Sequence, residues 1–215
     1  MARSSRPSNL PPEPVAQILA IGENRMLEGV RNRPPSRRRP QRGPETFLLR
    51  IDLVGAKPPI WRRVEVPSTL MLDEVHDLLQ LLFGWYDSHL HRFALGTAVW
   101  DPHAEYFLNA FDVEEGEEEG APEVEIRLDE TLAEPGDVLR YCYDYGDDWS
   151  HTLKLEKVTP GTCDRPRVLA GKHEAPEEDS GGIWAWNEDP DLEPLDLQGL
   201  DEELAEWAAD LKGAQ

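Results

Sequence analysis

Apolar and polar residues alternate along residues 46–53, in the pattern typical of a half-buried β-strand. The alternating apolar positions are Phe47, Leu49, Ile51 and Leu53. Residues 60–66 repeat the alternation after a break at residues 55–59, where a glycine and two prolines interrupt the pattern. These two stretches therefore predict an opening hairpin.

Residues 72–83 change to a helical period. Apolar side chains recur three and four positions apart and share one face, at Leu72, Val75, Leu79, Leu82 and Phe83. Asp73 lies in the first turn, where a carboxylate favours the helix dipole, and Gly84 suits a C-terminal cap. We predict a helix here, with His76 on its inward side.

The clearest hairpin signal lies between residues 138 and 158. Two strand patterns, residues 138–145 and 149–158, flank a turn built on Gly146, Asp147 and Asp148, which accept turn geometry at little cost. Counting by twos along the second strand places His151 on the same face as Trp149, Leu153 and Leu155. His151 is therefore predicted to point into the core.

Weaker patterns complete the chain. Residues 88–95 predict a strand with His89, His91, Phe93 and Leu95 on one face, and residues 124–128 predict a short strand. Residues 100–122 indicate a solvated acidic loop, residues 130–134 a helical turn, and residues beyond 158 irregular structure up to a C-terminal helix capped by Asp201. The elements together predict one main helix, a long central hairpin and a C-terminal helix.

Composition sets the class of protein. The 215 residues are 39% hydrophobic and 30% charged, so the chain can bury a core of ordinary size. The sequence shows neither the run of roughly 18 apolar residues that a spanning helix needs nor a signal-peptide pattern, which predicts a cytoplasmic protein. Cys142 and Cys163 have no spacing that suggests a disulfide framework or a zinc motif.

Charge divides the chain into two parts. Residues 1–44 hold nine Arg and three Glu, and residues 45–215 hold 13 Lys or Arg against 40 Asp or Glu. We predict a mostly disordered basic arm, residues 1–44, and a single acidic domain, residues 45–215. The arm is expected either to contact nucleic acid or to solubilise or neutralise the acidic body. The acidic domain argues against direct DNA binding by the domain itself. It suits a basic protein partner or nucleic-acid mimicry, and the alternative is that the surface acidity serves solubility alone.

Four histidines are predicted to face the core: His76, His89, His91 and His151. A His-x-His pair on one strand with a third imidazole nearby can supply three nitrogens to zinc or another divalent transition metal, and an Asp or water can complete the site. Such a centre would support metal-assisted hydrolysis. The alternative is that each imidazole makes an ordinary hydrogen bond inside a polar-lined core.

A polar cluster is predicted around the central turn. It combines three carboxylates with two indole rings, namely Asp144, Asp147, Asp148, Trp85 and Trp149. The cluster is a candidate ligand surface, and its alternative role is to cap turn amides and fill the core.

Five ordered runs carry a resemblance to a known family. They are residues 55–63 (GAKPPIWRR), 72–76 with 83–85 (LDEVH and FGW), 88–91 (SHLH), 143–151 (YDYGDDWSH) and 175–182 (APEEDSGG). In these runs the chain resembles the plasmid ORF-three-like family, whose members are also labelled TnpR-type passenger proteins of insertion elements. The resemblance implies an α+β domain with a β-grasp-like core built on a mixed sheet, carried on plasmids or mobile elements, whose activity is not established. We therefore expect an accessory binding module of a mobile element, with a metal-dependent hydrolase as the alternative.

Overall fold

The computed structural model describes residues 38–190 and 192–213, which form a mixed eight-stranded sheet with five α-helices. The strands are β1 (Glu45–Leu53), β2 (Trp61–Pro67), β3 (His91–Leu95), β4 (Glu105–Leu108), β5 (Ala121–Pro122), β6 (Val138–Tyr143), β7 (Trp149–Pro160) and β8 (Arg167–Lys172). The helices are α1 (Leu72–Phe83), α2 (Ala110–Glu115), α3 (Leu128–Thr131), α4 (Gly182–Glu188) and α5 (Leu197–Gly213). A 3₁₀ turn spans Glu123–Glu125.

The strand order is β5-β4-β3-β6-β7-β1-β2-β8, and neighbouring strands are antiparallel except for the short β4–β5 pair. The predicted α+β class, with its mixed sheet, main helix, central hairpin and C-terminal helix, is confirmed. None of the helices that the structure describes is both long and apolar enough to cross a bilayer.

The two faces of the sheet differ in chemistry. One face, here called the inner face, carries fully buried side chains such as Phe47, Leu49 and Leu153, and α1 packs its apolar side chains into the same core. On the opposite or outer face, a small cluster of Ala94, Val99, Ala104 and Cys142 covers the β3 end. Farther along, the outer face is polar and half-buried or exposed.

Helix α1 has the bounds that its sequence period predicts. The Glu74 side chain accepts a hydrogen bond of 2.8 Å from the Met71 amide at the N-terminus, which satisfies a donor that the helix leaves unpaired. Gly84 ends the helix in the left-handed conformation, with φ of 68°. His76 is buried on the inward side, as predicted.

Five stretches differ from their predicted structure, one of them the C-terminal helix, which begins at Leu197 and so contains the predicted cap Asp201. Residues 124–128 do not form a strand: Ile126 and Leu128 are buried as their alternation suggests, but their backbones bond to Leu72 and Leu70 at the start of α1. Strand β3 begins at His91, so residues 88–90 lie outside it. The predicted acidic loop contains β4, α2 and β5, and the stretch predicted to be irregular contains β8 and α4.

The end of the predicted basic arm lies against the acidic domain. The Arg39 amide donates to the Glu130 carbonyl at 2.6 Å, and the Arg42 amide donates to the Asp129 carboxylate at 3.1 Å. The prediction for residues 1–37 lies outside the described residues.

Candidate ligand site at three converging loops

Three segments that are far apart in the sequence meet at one end of the sheet. They are residues 85–89 after α1, residues 144–148 in the β6–β7 turn, and residues 176–182 before α4, and we call them the three-loop site. Glu178 joins the third segment to the first and to the end of β6: its Oε1 accepts from the Tyr86 amide at 2.7 Å and from the Tyr143 hydroxyl at 2.6 Å, and its Oε2 accepts from the Ser88 hydroxyl at 2.5 Å.

These hydrogen bonds shift the acid–base properties of both partners. Burial raises the pKa of Glu178, but hydrogen bonds from Ser88 and Tyr143 outweigh burial and hold it below its ordinary value. Burial, together with the bond to Glu178, raises the pKa of Tyr143 to about 12. The loops are therefore held by a charge-assisted bond between an ionised carboxylate and a neutral phenol.

A second set of contacts holds the third segment to the β6–β7 turn. The Gly181 amide donates to the Asp147 carboxylate at 2.9 Å. Gly182 has φ of +74°, and a Cβ at that position would lie 2.4 Å from the Asp147 carbonyl oxygen. Only glycine combines this backbone conformation with so close an approach. The Trp85 indole also donates to the Pro176 carbonyl at 2.9 Å.

Aspartates in the left-handed conformation shape the loops. Asp87, Asp144, Asp148 and Asp179 have φ between 53° and 56°. This conformation is uncommon for side chains other than glycine, although Asp tolerates it better than most because its carboxylate can bond to nearby backbone. Asp144 does so: its Oδ1 accepts from the Gly146 amide at 2.9 Å, and its Oδ2 faces His89.

His89 lies between two of these aspartates. Its Nε2 is 3.1 Å from Asp179 Oδ1 and 3.7 Å from Asp144 Oδ2. One donor atom from each residue lies within 4.8 Å of the others, a separation that a single ion can bridge. One imidazole and two carboxylates suit a divalent transition metal such as zinc or manganese.

His76 and His91 form a second group, deeper in the domain. Their rings stack with centroids 3.5 Å apart and planes 6° apart. His76 Nε2 lies 2.9 Å from Asp87 Oδ1, and His91 Nε2 lies 2.9 Å from Glu123 Oε2. One donor atom from each of His76, Asp87 and His91 lies within 4.8 Å of the others, so this group also has a separation that a single ion can bridge.

The His76 ring is neutral in this arrangement. Burial and the neighbouring His91 lower its pKa to about 4, against the opposing effect of Asp87. Its Nδ1 lies 2.7 Å from the hydroxyl of Tyr141, which also accepts from Gln80. The Tyr141 proton therefore points to Nδ1, and Nε2 carries the hydrogen donated to Asp87.

His151 belongs to neither group. Its ring packs edge-on to Phe83, with centroids 4.5 Å apart, and its Nδ1 donates to the Trp149 carbonyl at 2.8 Å. Nε2 is buried without a hydrogen-bond partner among the described residues. Burial lowers the pKa of His151 to about 3. The structure thus divides the four predicted histidines among three environments, and metal binding by any of them stays a prediction.

The predicted polar cluster is also divided. Trp85, Asp144 and Asp147 lie in the three-loop site, where the Trp85 ring stacks on Tyr143 with centroids 5.1 Å apart. Trp149 is fully buried behind them. Asp148 turns toward the outer face, where its Oδ1 accepts from the Trp100 indole at 3.0 Å.

Several prominent residues of the site were absent from the predicted set. Glu178 and Asp179 supply carboxylates, and Tyr86 and Trp184 are 86% and 85% exposed on or beside the loops. The signal that could have found the two acids is their position in the run 175–182, one of the five ordered runs in the sequence. Position along the chain alone did not indicate that this run meets residues 85–89.

Comparisons with known proteins agree with the fold. The model of a protein family described as "Plasmid pRiA4b ORF-3-like protein" matches residues 45–210. The uncharacterized protein y4hQ of Sinorhizobium fredii (strain NBRC 101917 / NGR234) is 31% identical over 145 residues, which cover 65% of this chain and 69% of that protein. The crystal structure of MM3350, a protein of unknown function from Methanosarcina mazei Go1, is similar with a TM-score of 0.58 and 28% identity over 68% of this chain and 80% of that chain.

The descriptions of these proteins name no activity, so the hydrolase alternative gains no support from them. The match over residues 45–210 covers well over half of the sequence. The chain therefore belongs to the plasmid pRiA4b ORF-3-like family.

Proposed function

We propose that this protein is an accessory binding module of a mobile element, and that the three-loop site binds a cationic segment of a protein partner. The observation that carries the proposal is the exposure of two large aromatic side chains, Tyr86 and Trp184, on or beside loops that are otherwise held by hydrogen bonds. An aromatic ring left in water on a fixed backbone is a typical anchor for a partner, because little ordering entropy is lost on binding.

The charge around the rings selects the kind of partner. Asp87 and Asp179 lie on the same loops with side chains that are 59% and 76% exposed. Carboxylates attract ammonium and guanidinium groups, and the faces of Tyr and Trp attract the same cations. Lysine and arginine side chains of a partner therefore satisfy both features of the site.

Hydrogen bonds hold the loops of the three-loop site in place, which suits binding of a partner better than catalysis. Glu178 is engaged by three donors, and Asp147 is engaged by Gly181. Their carboxylates serve to hold the loops, whereas Asp87 and Asp179, although each contacts a histidine, keep most of their side chains exposed to face a ligand. We infer that a partner segment docks on preformed loops with small backbone change.

The test uses the full chain as bait for a displayed heptapeptide library, followed by calorimetric titration of the selected peptides. We expect selection of Lys- and Arg-containing peptides, and at least about a tenfold loss of affinity in Tyr86→Ala and Trp184→Ala, in keeping with hot-spot aromatics. Phe111→Ala is the matched control, since Phe111 is exposed but lies on α2. Peptides without cationic residues, or equal affinities in all variants, would contradict the proposal.

A divalent metal at His89, Asp144 and Asp179 is a second candidate. The approach of their donor atoms within 4.8 Å supports it. The turn amides of Gly146 and Asp147 bond to Oδ1 of Asp144, and its Oδ2 faces His89. We propose zinc as the first metal to test, because imidazole and carboxylate are among its common ligands. These three residues would hold the ion within the three-loop site.

A further inference from the structure

The outer face of the sheet carries a band of positive charge on a strongly acidic domain. Each of five neighbouring strands, β8, β2, β1, β7 and β6, contributes at least one cationic side chain to this face: Lys172, Arg63, Arg50, Lys154, Lys157 and Arg140. We propose that this face binds the phosphate backbone of a single-stranded nucleic acid, at a surface separate from the three-loop site. We call the six residues the cationic band.

The register of the sheet places three of the cations in one row. Arg50 lies directly opposite Arg63 on one side and Lys154 on the other. Like charges directly opposite each other in a sheet are destabilising. Carboxylates on the same face offset part of this repulsion, and a polyanion lying across the strands would offset more of it.

Nearby carboxylates orient the guanidinium groups but do not cancel the band. Arg50 Nε bonds to Asp52 at 2.9 Å, and Arg63 Nε bonds to Glu156 at 2.7 Å. On the five strands, the outer face also carries Glu65, beside Arg167 at the β8 edge. Six of the 13 Lys and Arg of residues 45–215 nevertheless lie in the band, while the same residues hold 40 acids in all.

Aromatic and guanidinium planes give the band a second feature that suits nucleic acid. Trp61 is half-buried on the outer face, with the guanidinium carbons of Arg50 and Arg63 at 4.3 Å and 5.6 Å from its ring. Such planes stack on unpaired bases, whereas an acidic protein surface would use the charges alone. This difference favours a single strand over an acidic protein.

The band is long enough to contact several phosphates of one nucleic-acid chain. Adjacent strands lie about 4.8 Å apart, so the four steps from β8 to β6 span about 19 Å, enough for several successive phosphates. The acidic remainder of the domain repels phosphates and thereby directs a nucleic acid to this face. The net negative charge of the domain argues against nucleic-acid binding only where the acidic side chains lie. The cationic side chains are concentrated on the outer face, where this argument does not apply.

The test measures fluorescence anisotropy of a labelled single-stranded oligonucleotide of about 12 nucleotides with the full chain. The variant Lys154→Glu/Lys157→Glu changes two exposed residues of the band, and Lys57→Glu/Lys212→Glu makes the same change of charge at exposed positions outside it. One phosphate contact is worth about fivefold in affinity at 0.1 M salt, from a slope of about −0.7 per contact on single strands. We expect a loss of about 25-fold in the band variant and a much smaller loss in the control.

The other outcomes overturn the proposal. Equal losses in both variants would mean that only the total charge matters, and unchanged binding in the band variant would assign any affinity to the basic arm. Absence of binding by the wild-type chain at low salt would also refute it. If the wild-type chain instead shows salt-sensitive self-association that the band variant abolishes, the band docks on the acidic surface of a second copy.

Discussion

His151 allows a quantitative prediction about stability and pH. The ring is fully buried, and burial lowers the pKa of His151 to about 3 from an ordinary value of 6.5. As the pH falls below 6.5, the unfolded chain takes up a proton at this residue, whereas the folded protein does so only near pH 3. Acid therefore favours the unfolded state, and the loss of stability begins near pH 6.5 and grows until pH 3.

The size of this effect follows from the difference between the two pKa values. Between pH 8 and pH 5, His151 removes about 2 kcal/mol from the free energy of unfolding, since each pH unit below 6.5 contributes about 1.4 kcal/mol. Other groups titrate in the same range, so the wild-type curve alone does not isolate His151. The variant His151→Gln has no imidazole at this position and serves as the reference.

The assay is urea unfolding followed by tryptophan fluorescence from pH 5 to pH 8. We expect the wild type to lose about 2 kcal/mol more than His151→Gln on acidification, whatever the difference between the two proteins at pH 8. His103→Gln, at an exposed histidine, should keep the pH dependence of the wild type. Parallel curves for the wild type and His151→Gln would refute the reasoning, because they would mean that the folded protein protonates His151 as readily as the unfolded chain does.

Two further predictions concern the three-loop site. Elemental analysis of protein purified after zinc supplementation should find stoichiometric metal in the wild type and little in His89→Ala, with His151→Ala as the matched imidazole deletion; equal metal in all three proteins, or none in the wild type, would remove the second candidate function. Gly182→Ala should lower the free energy of unfolding by at least about 1 kcal/mol, because the new Cβ would meet the Asp147 carbonyl and the backbone is left-handed. Thermal unfolding tests this, with Gly213→Ala as a control whose Cβ would have open space; an unchanged transition in Gly182→Ala would show that the loops are not held as described.

The long elements could be predicted because the apolar pattern within each element indicates which of its faces is buried. The apolar stripe of Leu72–Phe83 determines a helix, and Gly84 marks its end, so both bounds agree with the structure. The alternation in β1 and β7 likewise needs no knowledge of the rest of the chain. Each of these elements buries a complete face against one core, and local pattern is then a sufficient guide.

Short elements escaped prediction because their structure depends on neighbours. Strand β8 has one buried residue, Val168, and forms only by pairing along the edge of β2. Ile126 and Leu128 alternate as a strand does, yet their backbone bonds go to Leu70 and Leu72 at the start of α1. A four- or five-residue pattern indicates which side chains are buried but not which chain supplies the hydrogen bonds.

The candidate site was predicted in its residue types but not in its grouping. His89 was expected beside His91 on one strand, but β3 starts only at His91, and the preceding loop turns His89 toward Asp144 and Asp179. The partner Asp179 lies 90 positions farther along the chain. Tertiary contacts at such separation leave no periodic trace in a single sequence, so only the ordered runs pointed to this meeting of loops.

The two proposed surfaces carry charges of opposite sign, and this difference decides how they would act together. The three-loop site presents carboxylates near the turn between β6 and β7, while the cationic band runs from the β8 edge of the same sheet to β6 on its outer face. A basic peptide and a nucleic acid would each be repelled by the surface that attracts the other, so they should not compete for one site. Lys154→Glu/Lys157→Glu should therefore weaken oligonucleotide binding and leave the calorimetric affinity for a cationic peptide unchanged or slightly higher. A peptide that displaces the oligonucleotide from the wild type without binding to it would instead place both ligands on one surface and contradict the proposal of two separate sites.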